Sequence, residues 1–197
     1  MSKNKHLAKV LESHKMGHID DLLTKYKKKR EEVKDALAVK FKDKIVTKAI
    51  NSGSYAKHDA INIKYDLDVC QPFKRDSFDT LENMADAVFD FFNEEYDDEE
   101  LVKYRTRKQR VSTGITFVID GDEIQMDIVS GRELTKDDYL ETNRVNLFVR
   151  PKLLQDASST QTNIQKHIDL IKGKDHERNV IRLLKVWKVN KSRDRVK

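Results

Sequence analysis

The chain has 197 residues and a mass of 23.1 kDa, with 38% hydrophobic residues, 37% charged residues and a formal net charge of +5. Eight Phe, six Tyr and one Trp argue against a purely disordered chain. No run approaches the roughly 18 apolar residues of a membrane span, and the first ten residues lack the apolar stretch of a secretion signal. The single Cys70 excludes an internal disulfide and the common thiolate zinc spacings. We therefore expect a soluble, cytoplasmic protein without a membrane partner.

Positive charge is concentrated at the two ends of the sequence. Residues 1–50 hold 14 Lys and Arg against 7 Asp and Glu, and residues 172–197 hold 10 against 3. A basic surface attracts the phosphates of nucleic acids and nucleotides. A single run such as KYKKKREE is more often the solvated face of a helix. Charge alone therefore leaves both interpretations open.

The N-terminal quarter is predicted to be helical. Seven apolar residues keep helical spacing and predict one long helix over residues 18–43, with Lys and Glu on its opposite face. These residues are Ile19, Leu22, Leu23, Tyr26, Val33, Leu37 and Phe41. A shorter amphipathic helix precedes it, and Gly17 is the expected break between the two.

The middle of the chain alternates between strands and turns. Period-two patterns predict strands at residues 45–50, 64–70, 111–119 and 123–129, and a helical stripe predicts a helix at residues 78–96. The turn formers of residues 51–54 separate the first two strands. Asp120-Gly121 between the last two is the strongest hairpin signal in the chain.

A seam is predicted at residues 151–162, where Pro151 is followed by a polar stretch of small residues. It suggests two units, residues 1–155 and residues 156–197. The second unit should hold helices at residues 162–171 and 175–190. The last helix carries an apolar stripe that includes Trp187, which predicts packing against further helices of a lobe that this chain contains only in part.

Three acidic residues stand out by their apolar surroundings: Asp66 and Asp68 in YDLDV, and Asp127 in IQMDIV. In a strand, residues i and i+2 share a face, so the first two carboxylates project together. Such a pair repels unless a divalent cation neutralises it, and Mg²⁺ prefers hard oxygen ligands together with substrate phosphates. With Asp127 as a third ligand, two ions could serve phosphoryl transfer. A polar strand face turned to solvent explains Asp-x-Asp alone equally well.

The turn at Gly53-Ser54 favours the chemical interpretation. Glycine lets a phosphate approach the backbone closely, and the serine adds a hydroxyl. The Gly-Ser turn, eleven further residues, the Asp-x-Asp pair and the later strand aspartate together resemble the DNA polymerase β-like nucleotidyltransferase superfamily. The segment GSYAKHDAINIKYDLDV is most similar to the bacterial cGAS/DncV-like nucleotidyltransferases (CD-NTases), which are related to oligoadenylate synthase.

The resemblance implies a fold of the α/β (α+β) class. It would have a mixed, mostly antiparallel sheet, a long spine helix at residues 18–43 and the start of a C-terminal helical lobe. It also implies that Asp66, Asp68 and Asp127 bind two Mg²⁺ ions, which Mn²⁺ could replace, and that Gly53 and Ser54 bind nucleotide phosphates. VIRLLKVWK resembles the helix that opens the C-terminal lobe, and Lys185 matches its phosphate-binding lysine.

The implied reaction is attack of a ribose hydroxyl on the α-phosphorus of ATP or another NTP, with release of pyrophosphate and with Asp127 helping to deprotonate the hydroxyl. The implied product is a cyclic or linear oligonucleotide messenger of bacterial antiphage defence, made under control of a regulatory protein or nucleic acid. The chain departs from the family pattern at His58-Asp59, where a threonine hydroxyl is usual, and at Ser130, where proline is common.

Two alternatives remain at the level of sequence. One is nucleotidyl transfer to RNA or to a protein, and the other is a nucleotide- or RNA-binding module with little catalysis. Four basic residues at positions 105, 107, 108 and 110 could line a nucleotide or RNA path, although an ordinary solvated strand explains them as well.

Overall fold

A mixed sheet lies at the centre of the fold, and helices pack against both of its faces. The computed structural model describes residues 2–63, 67–96 and 103–194. The strands within them are β1 (Ile50–Asn51), β2 (Val69–Phe73), β3 (Lys103–Lys108), β4 (Thr113–Ile119), β5 (Asp122–Glu133), β6 (Val145–Val149) and β7 (Ser158–Thr162). The helices are α1 (Lys3–Ser13), α2 (Asp20–Lys40), α3 (Gly53–Ala56), α4 (Leu81–Asp90), α5 (Tyr139–Thr142), α6 (Ile164–Ile171) and α7 (Asp175–Asp194). A 3₁₀ turn, Met16–Ile19, precedes α2, and a π turn, Phe91–Glu95, follows α4.

The strand order is β1-β2-β5-β4-β3, and the second half of β5 pairs with β6, which in turn pairs with β7. The long β5 therefore contacts β4 through its first half and β6 through its second half. Among the described strands, β2 and β5 are parallel and every other pair is antiparallel. This confirms the predicted mixed, mostly antiparallel sheet.

Helix α2 is the predicted spine. Its apolar stripe buries Leu23, Val33 and Leu37 against the sheet, and it ends where the Phe41 N–H donates to the carbonyl of Leu37. The helix is shorter than residues 18–43 because the 3₁₀ turn replaces its first residues. Its opposite face is less exposed than predicted: Lys29 is only 2% exposed and pairs with Glu32 at 2.5 Å.

The main core lies between this helix, α4 and one face of the sheet. Its largest buried side chains are Phe73, Phe92, Phe117, Leu37, Leu67, Met84, Ile115, Ile124, Met126 and Ile128. Residues alternate along a strand, so the neighbours of these side chains face the opposite side of the sheet. There a smaller cluster forms around Cys70. Burial raises the pKa of the Cys70 thiol to about 12, so the thiol is neutral and packs as a small apolar group.

The predicted strand at residues 45–50 is largely wrong. Ile45 forms an isolated bridge to Phe73, and regular pairing with β2 begins only at Ile50. Between them the Val46 N–H donates to the carbonyl of Pro72, but proline has no N–H with which to return the second bond of the pair. The ladder is therefore interrupted, and the Gln71 side chain donates instead to the Thr47 carbonyl at 2.8 Å.

The central hairpin is confirmed. Strands β4 and β5 meet at Asp120 and Gly121, whose φ angles of 52° and 86° match the left-handed turn that these residues favour. The predicted strand at residues 64–70 begins later, at Val69, and runs on to Phe73; residues 64–66 lie outside the described part. The predicted helix at residues 78–96 begins at Leu81, because Thr80 caps it by accepting from the Asn83 N–H.

The C-terminal helices α6 and α7 are confirmed, but the predicted seam contains a strand. Ser158–Thr162 pairs along its whole length with β6, so this stretch belongs to the sheet. Over residues 175–191 of α7, Val186 is the buried residue, whereas Leu184 and Trp187 are 58% and 60% exposed. The division at residue 155 stays a prediction.

None of the described helices is long and apolar enough to cross a lipid bilayer.

We expect Leu37→Ala to lower the free energy of unfolding by about 2–5 kcal/mol, because Leu37 is fully buried and its removal leaves a cavity. The matched control is Val39→Ala on the same helix, where the side chain is 80% exposed; its effect should stay within about 0.5 kcal/mol. Urea denaturation measures both. Equal losses would contradict the packing of α2 against the sheet.

Candidate functional site

Asp68, the residue that immediately precedes β2, lies beside Asp127 of β5. The parallel register aligns Val69 with Ile128, and each aspartate immediately precedes one member of that pair. Paired residues of neighbouring strands share a face and lie about 5 Å apart. The Asp127 N–H donates to Oδ1 of Asp68 at 3.3 Å. Two carboxylates predicted from separate segments are thus brought together on the face opposite the main core, and both are partly exposed.

The Gly53-Ser54 turn lies directly against Asp68. Gly53 has a φ of 71°, and a Cβ atom placed on it would be 2.0 Å from Oδ2 of Asp68. The Ser52 N–H donates to the Asp68 carbonyl at 2.7 Å, which fixes the turn to the strand end. Ser52 Oγ is buried and has no hydrogen-bond partner among the described residues. Only glycine allows both the backbone angle and the close approach of the carboxylate.

Basic residues of α2 surround the next residue of the turn, Tyr55. The ammonium of Lys27 lies 5.5 Å from the centre of the Tyr55 ring, and the guanidinium of Arg30 lies 5.9 Å from it. Both distances are within the range of a cation–π contact. Lys34 extends the basic edge by donating to the Asn51 side chain at 3.4 Å. The spine helix thus supplies positive charge next to the Gly-Ser turn.

Lys185 reaches the same loop from α7, but its observed partner is a carboxylate. Its Nζ donates to Oδ1 of Asp59 at 2.5 Å and to the Asp59 carbonyl at 2.9 Å. Asp59, the residue that replaces the usual family threonine, is only 3% exposed. One turn earlier on the helix, Arg182 donates to the His58 carbonyl at 2.5 Å. These two residues fasten α7 to the loop that follows Ser54.

Asp66, the remaining predicted ligand, lies outside the described residues. Within residues 2–63, 67–96 and 103–194, no three His, Cys, Asp or Glu side chains form a cluster that could hold a metal ion. The described part of the predicted metal site is therefore the pair Asp68 and Asp127.

Gln109 is a site residue that sequence reasoning missed. Its Nε2 donates to Oδ1 of Asp127 at 2.8 Å, and it lines a cleft of about 170 Å³ beside Asp127 together with Arg107, Gly114 and Thr116. A glycine inside a strand often marks a close approach of another group, so Gly114 was the signal that could have revealed it. A Cβ atom on Gly114 would lie 2.5 Å from Nε2 of Gln109.

Of the four basic residues predicted for a nucleotide path, Arg107 lines this cleft. The other three have partners elsewhere. Arg105 pairs with Glu123 at 3.0 Å, Lys108 pairs with Asp86 at 2.8 Å, and Arg110 donates to Gln155 at 3.0 Å. Burial alone would raise the pKa of Asp86, but hydrogen bonds from Lys108 and Arg150 outweigh it and hold that pKa below its usual value. Through Asp86, Lys108 at the end of β3 and Arg150 just after β6 are both tied to α4.

Comparison with solved structures identifies the fold. The structure of CdnC from E. coli MS115-1 with ATP superposes with a TM-score of 0.63 at 23% sequence identity, over 93% of this chain and 56% of that chain. The fold is that of CdnC, a CD-NTase. The complex of the same protein described as CdnC:HORMA-deltaN gives a TM-score of 0.62 at 22% identity, over 97% of this chain and 58% of that chain.

The resemblance predicted from the Gly-Ser turn and the aspartates is thus confirmed at the level of the fold. The chain spans less than three fifths of the CdnC chains with which it superposes. No family model matches the sequence, and no curated protein matches it.

We expect Gly53→Ala to destabilise the fold more than Gly121→Ala does. Both glycines have positive φ, so each substitution should cost about 1–2 kcal/mol of backbone strain. Nothing lies within 4 Å of a Cβ atom at Gly121, whereas at Gly53 it would overlap Asp68. That overlap should add about 1–3 kcal/mol in urea denaturation. Equal losses would contradict the contact between the turn and Asp68.

A double-mutant cycle of Asp59→Asn and Lys185→Met should give a coupling energy of about 1–3 kcal/mol, because Asp59 is buried and needs its cationic partner. The matched control is the pair Glu12 and Lys15, which lie 2.6 Å apart with both side chains 63% exposed. No measurable coupling is expected there. A coupling near zero for Asp59 and Lys185 would show that the pair does not hold α7 to the loop.

Proposed function

We propose that this chain is the catalytic part of a Mg²⁺-dependent nucleotidyltransferase that joins NTPs through a ribose hydroxyl. The observation that carries the proposal is the register that sets Asp68 beside Asp127, with the Gly53-Ser54 turn against Asp68, in a chain with the fold of CdnC. The structure of CdnC with ATP supports an NTP as the substrate.

The donor set fits a hard divalent cation. The pair offers carboxylate oxygens, which Mg²⁺ and Mn²⁺ prefer, and two carboxylates held this close favour a cation between them. We assign Asp68 and Asp127 as ligands and add Asp66 from the Asp-x-Asp pattern. When bound, Mg²⁺ stabilises negative charge on the phosphate oxygens and makes the attacking hydroxyl more acidic.

The residues of the chain supply binding and proton transfer. In the proposed reaction the ribose oxygen forms a bond to the α-phosphorus, its proton passes to Asp127, and the bond to the β-phosphate oxygen breaks to release pyrophosphate. The Ser54 hydroxyl contacts the β- and γ-phosphates, while Gly53 keeps the backbone open to them. Lys185 uses two contacts on Asp59, and an ammonium has three donors, so one N–H remains for a phosphate oxygen.

The product we propose is a short cyclic or linear oligonucleotide that acts as a second messenger in bacterial antiphage defence, made in the cytoplasm. The CdnC:HORMA-deltaN complex supports a regulatory protein as the partner that controls synthesis. Transfer of a nucleotide to RNA or protein, or nucleotide binding without turnover, are outcomes that the test below separates.

The test is incubation with labelled ATP, GTP, CTP and UTP plus Mg²⁺, with and without RNA, followed by chromatography. We expect phosphatase-resistant oligonucleotides from the wild type and a loss of at least about 100-fold in Asp68→Asn and Asp127→Asn. Asp122→Asn is the matched control, because Asp122 lies on the same strand but at its exposed end; it should behave like the wild type.

Label recovered on RNA or on protein would overturn messenger synthesis and would show that the enzyme adds nucleotides to RNA or modifies a protein. Mg²⁺-dependent ATP binding without any product would establish a binding module. Turnover that survives both Asp68→Asn and Asp127→Asn would contradict the site itself.

A further inference from the structure

Gln109 is held in a single orientation next to Asp127. It lies in the connection between β3 and β4, which closes through the Gln109 N–H donating to the Ser112 carbonyl at 2.9 Å. Its Nε2 donates to Asp127, and its Oε1 accepts from the Ser112 hydroxyl at 2.7 Å. A carboxylate can only accept, so the amide nitrogen has to face Asp127. The Ser112 hydroxyl can donate or accept, so it is the carboxylate of Asp127 that sets the orientation of the amide.

Gly114 leaves space in the sheet for the Gln109 side chain. Gly114 pairs directly with Asp127 across β4 and β5, and a Cβ atom there would lie 2.5 Å from Nε2 and 3.2 Å from Cδ of Gln109. The φ of Gly114 is not positive, unlike those of Gly53, Gly121 and Gly173. The backbone at position 114 would therefore accept another residue. The arrangement needs glycine there because the absence of a side chain leaves room for Gln109.

We infer that Gln109 is a positioning residue for Asp127. A hydrogen bond to one carboxylate oxygen limits rotation of the group, and an amide does so without neutralising the charge that a cation needs. An Arg or Lys at this place would compete with the cation for the carboxylate. Ser112 holds Gln109 by a hydrogen bond and Gly114 leaves room for it, so three residues of the β3–β4 hairpin position Asp127 on β5. This inference rests on the proposed function of Asp127.

The test compares Gln109→Leu with Gly114→Ala, whose Cβ atom would lie 2.5 Å from Nε2 of Gln109 and 3.2 Å from Nε of Arg107 and so displaces Gln109 most. Two readouts are used: kcat and KM for ATP, and Mn²⁺ affinity measured by electron paramagnetic resonance in the absence of turnover. Both variants should lower kcat or Mn²⁺ affinity about 10- to 100-fold, the usual effect of removing a group that orients a metal ligand, with KM for ATP within about twofold. Thermal unfolding checks that each variant is folded.

Gln165→Leu is the matched control, because Gln165 also donates its amide to an aspartate, Asp169 at 2.9 Å, on the exposed helix α6. It should leave both readouts unchanged. Folded Gln109→Leu and Gly114→Ala proteins with wild-type kcat and Mn²⁺ affinity would overturn the inference alone. A wild type that neither turns over NTPs nor binds Mn²⁺ would overturn the proposed function and this inference together.

Discussion

The parallel pairing of β2 with β5 is the contact on which the rest of the site depends. Val69 and Ile128 are fully buried in the core, and alternation then directs Asp68 and Asp127 to the opposite face. A slip of β2 by one residue along β5 would turn its apolar side chains away from the core and its carboxylate into it. The same hydrophobic burial that stabilises the sheet therefore holds the two acids together, and the Gly53 turn closes over them.

The candidate site also joins the two basic ends of the chain. Lys27 and Arg30 come from α2, whereas Arg182 and Lys185 come from α7, and both pairs reach the loop around Tyr55 and Asp59. The two basic ends of the sequence thus meet at one loop of the fold, where Arg30 pairs with Glu31 and Lys185 pairs with Asp59. Lys185 in turn compensates the buried carboxylate of Asp59, since a buried charge without a counter-charge would be costly. The remaining field favours an anionic ligand at this edge of the sheet.

Most elements could be predicted because their signals are local. The apolar stripe of α2, the Asp120-Gly121 turn and the alternation around Asp68 each depend on neighbours within a few residues. Two contacts join segments that are far apart in the sequence: the register of β2 on β5, and the contact of Gln109 with Asp127 past Gly114. Hydrophobic periodicity is a local pattern and does not encode either contact. The prediction of a strand at residues 45–50 was wrong for a different reason. Pro72 on the partner strand lacks the N–H that would complete the pairing, and the sequence of residues 45–50 alone could not reveal this.

The pairing of β2 with β5 also bears on how the chain reaches its native state. Asp68 and Asp127 are 59 residues apart, more than the partners in any other strand pair of the described residues. Local hairpins close in microseconds, whereas distant pairings carry a larger loop entropy and form later. The two carboxylates thus become neighbours only after much of the sheet has assembled. A ligand that requires both carboxylates would bind only the folded chain, and mass action would then stabilise this contact.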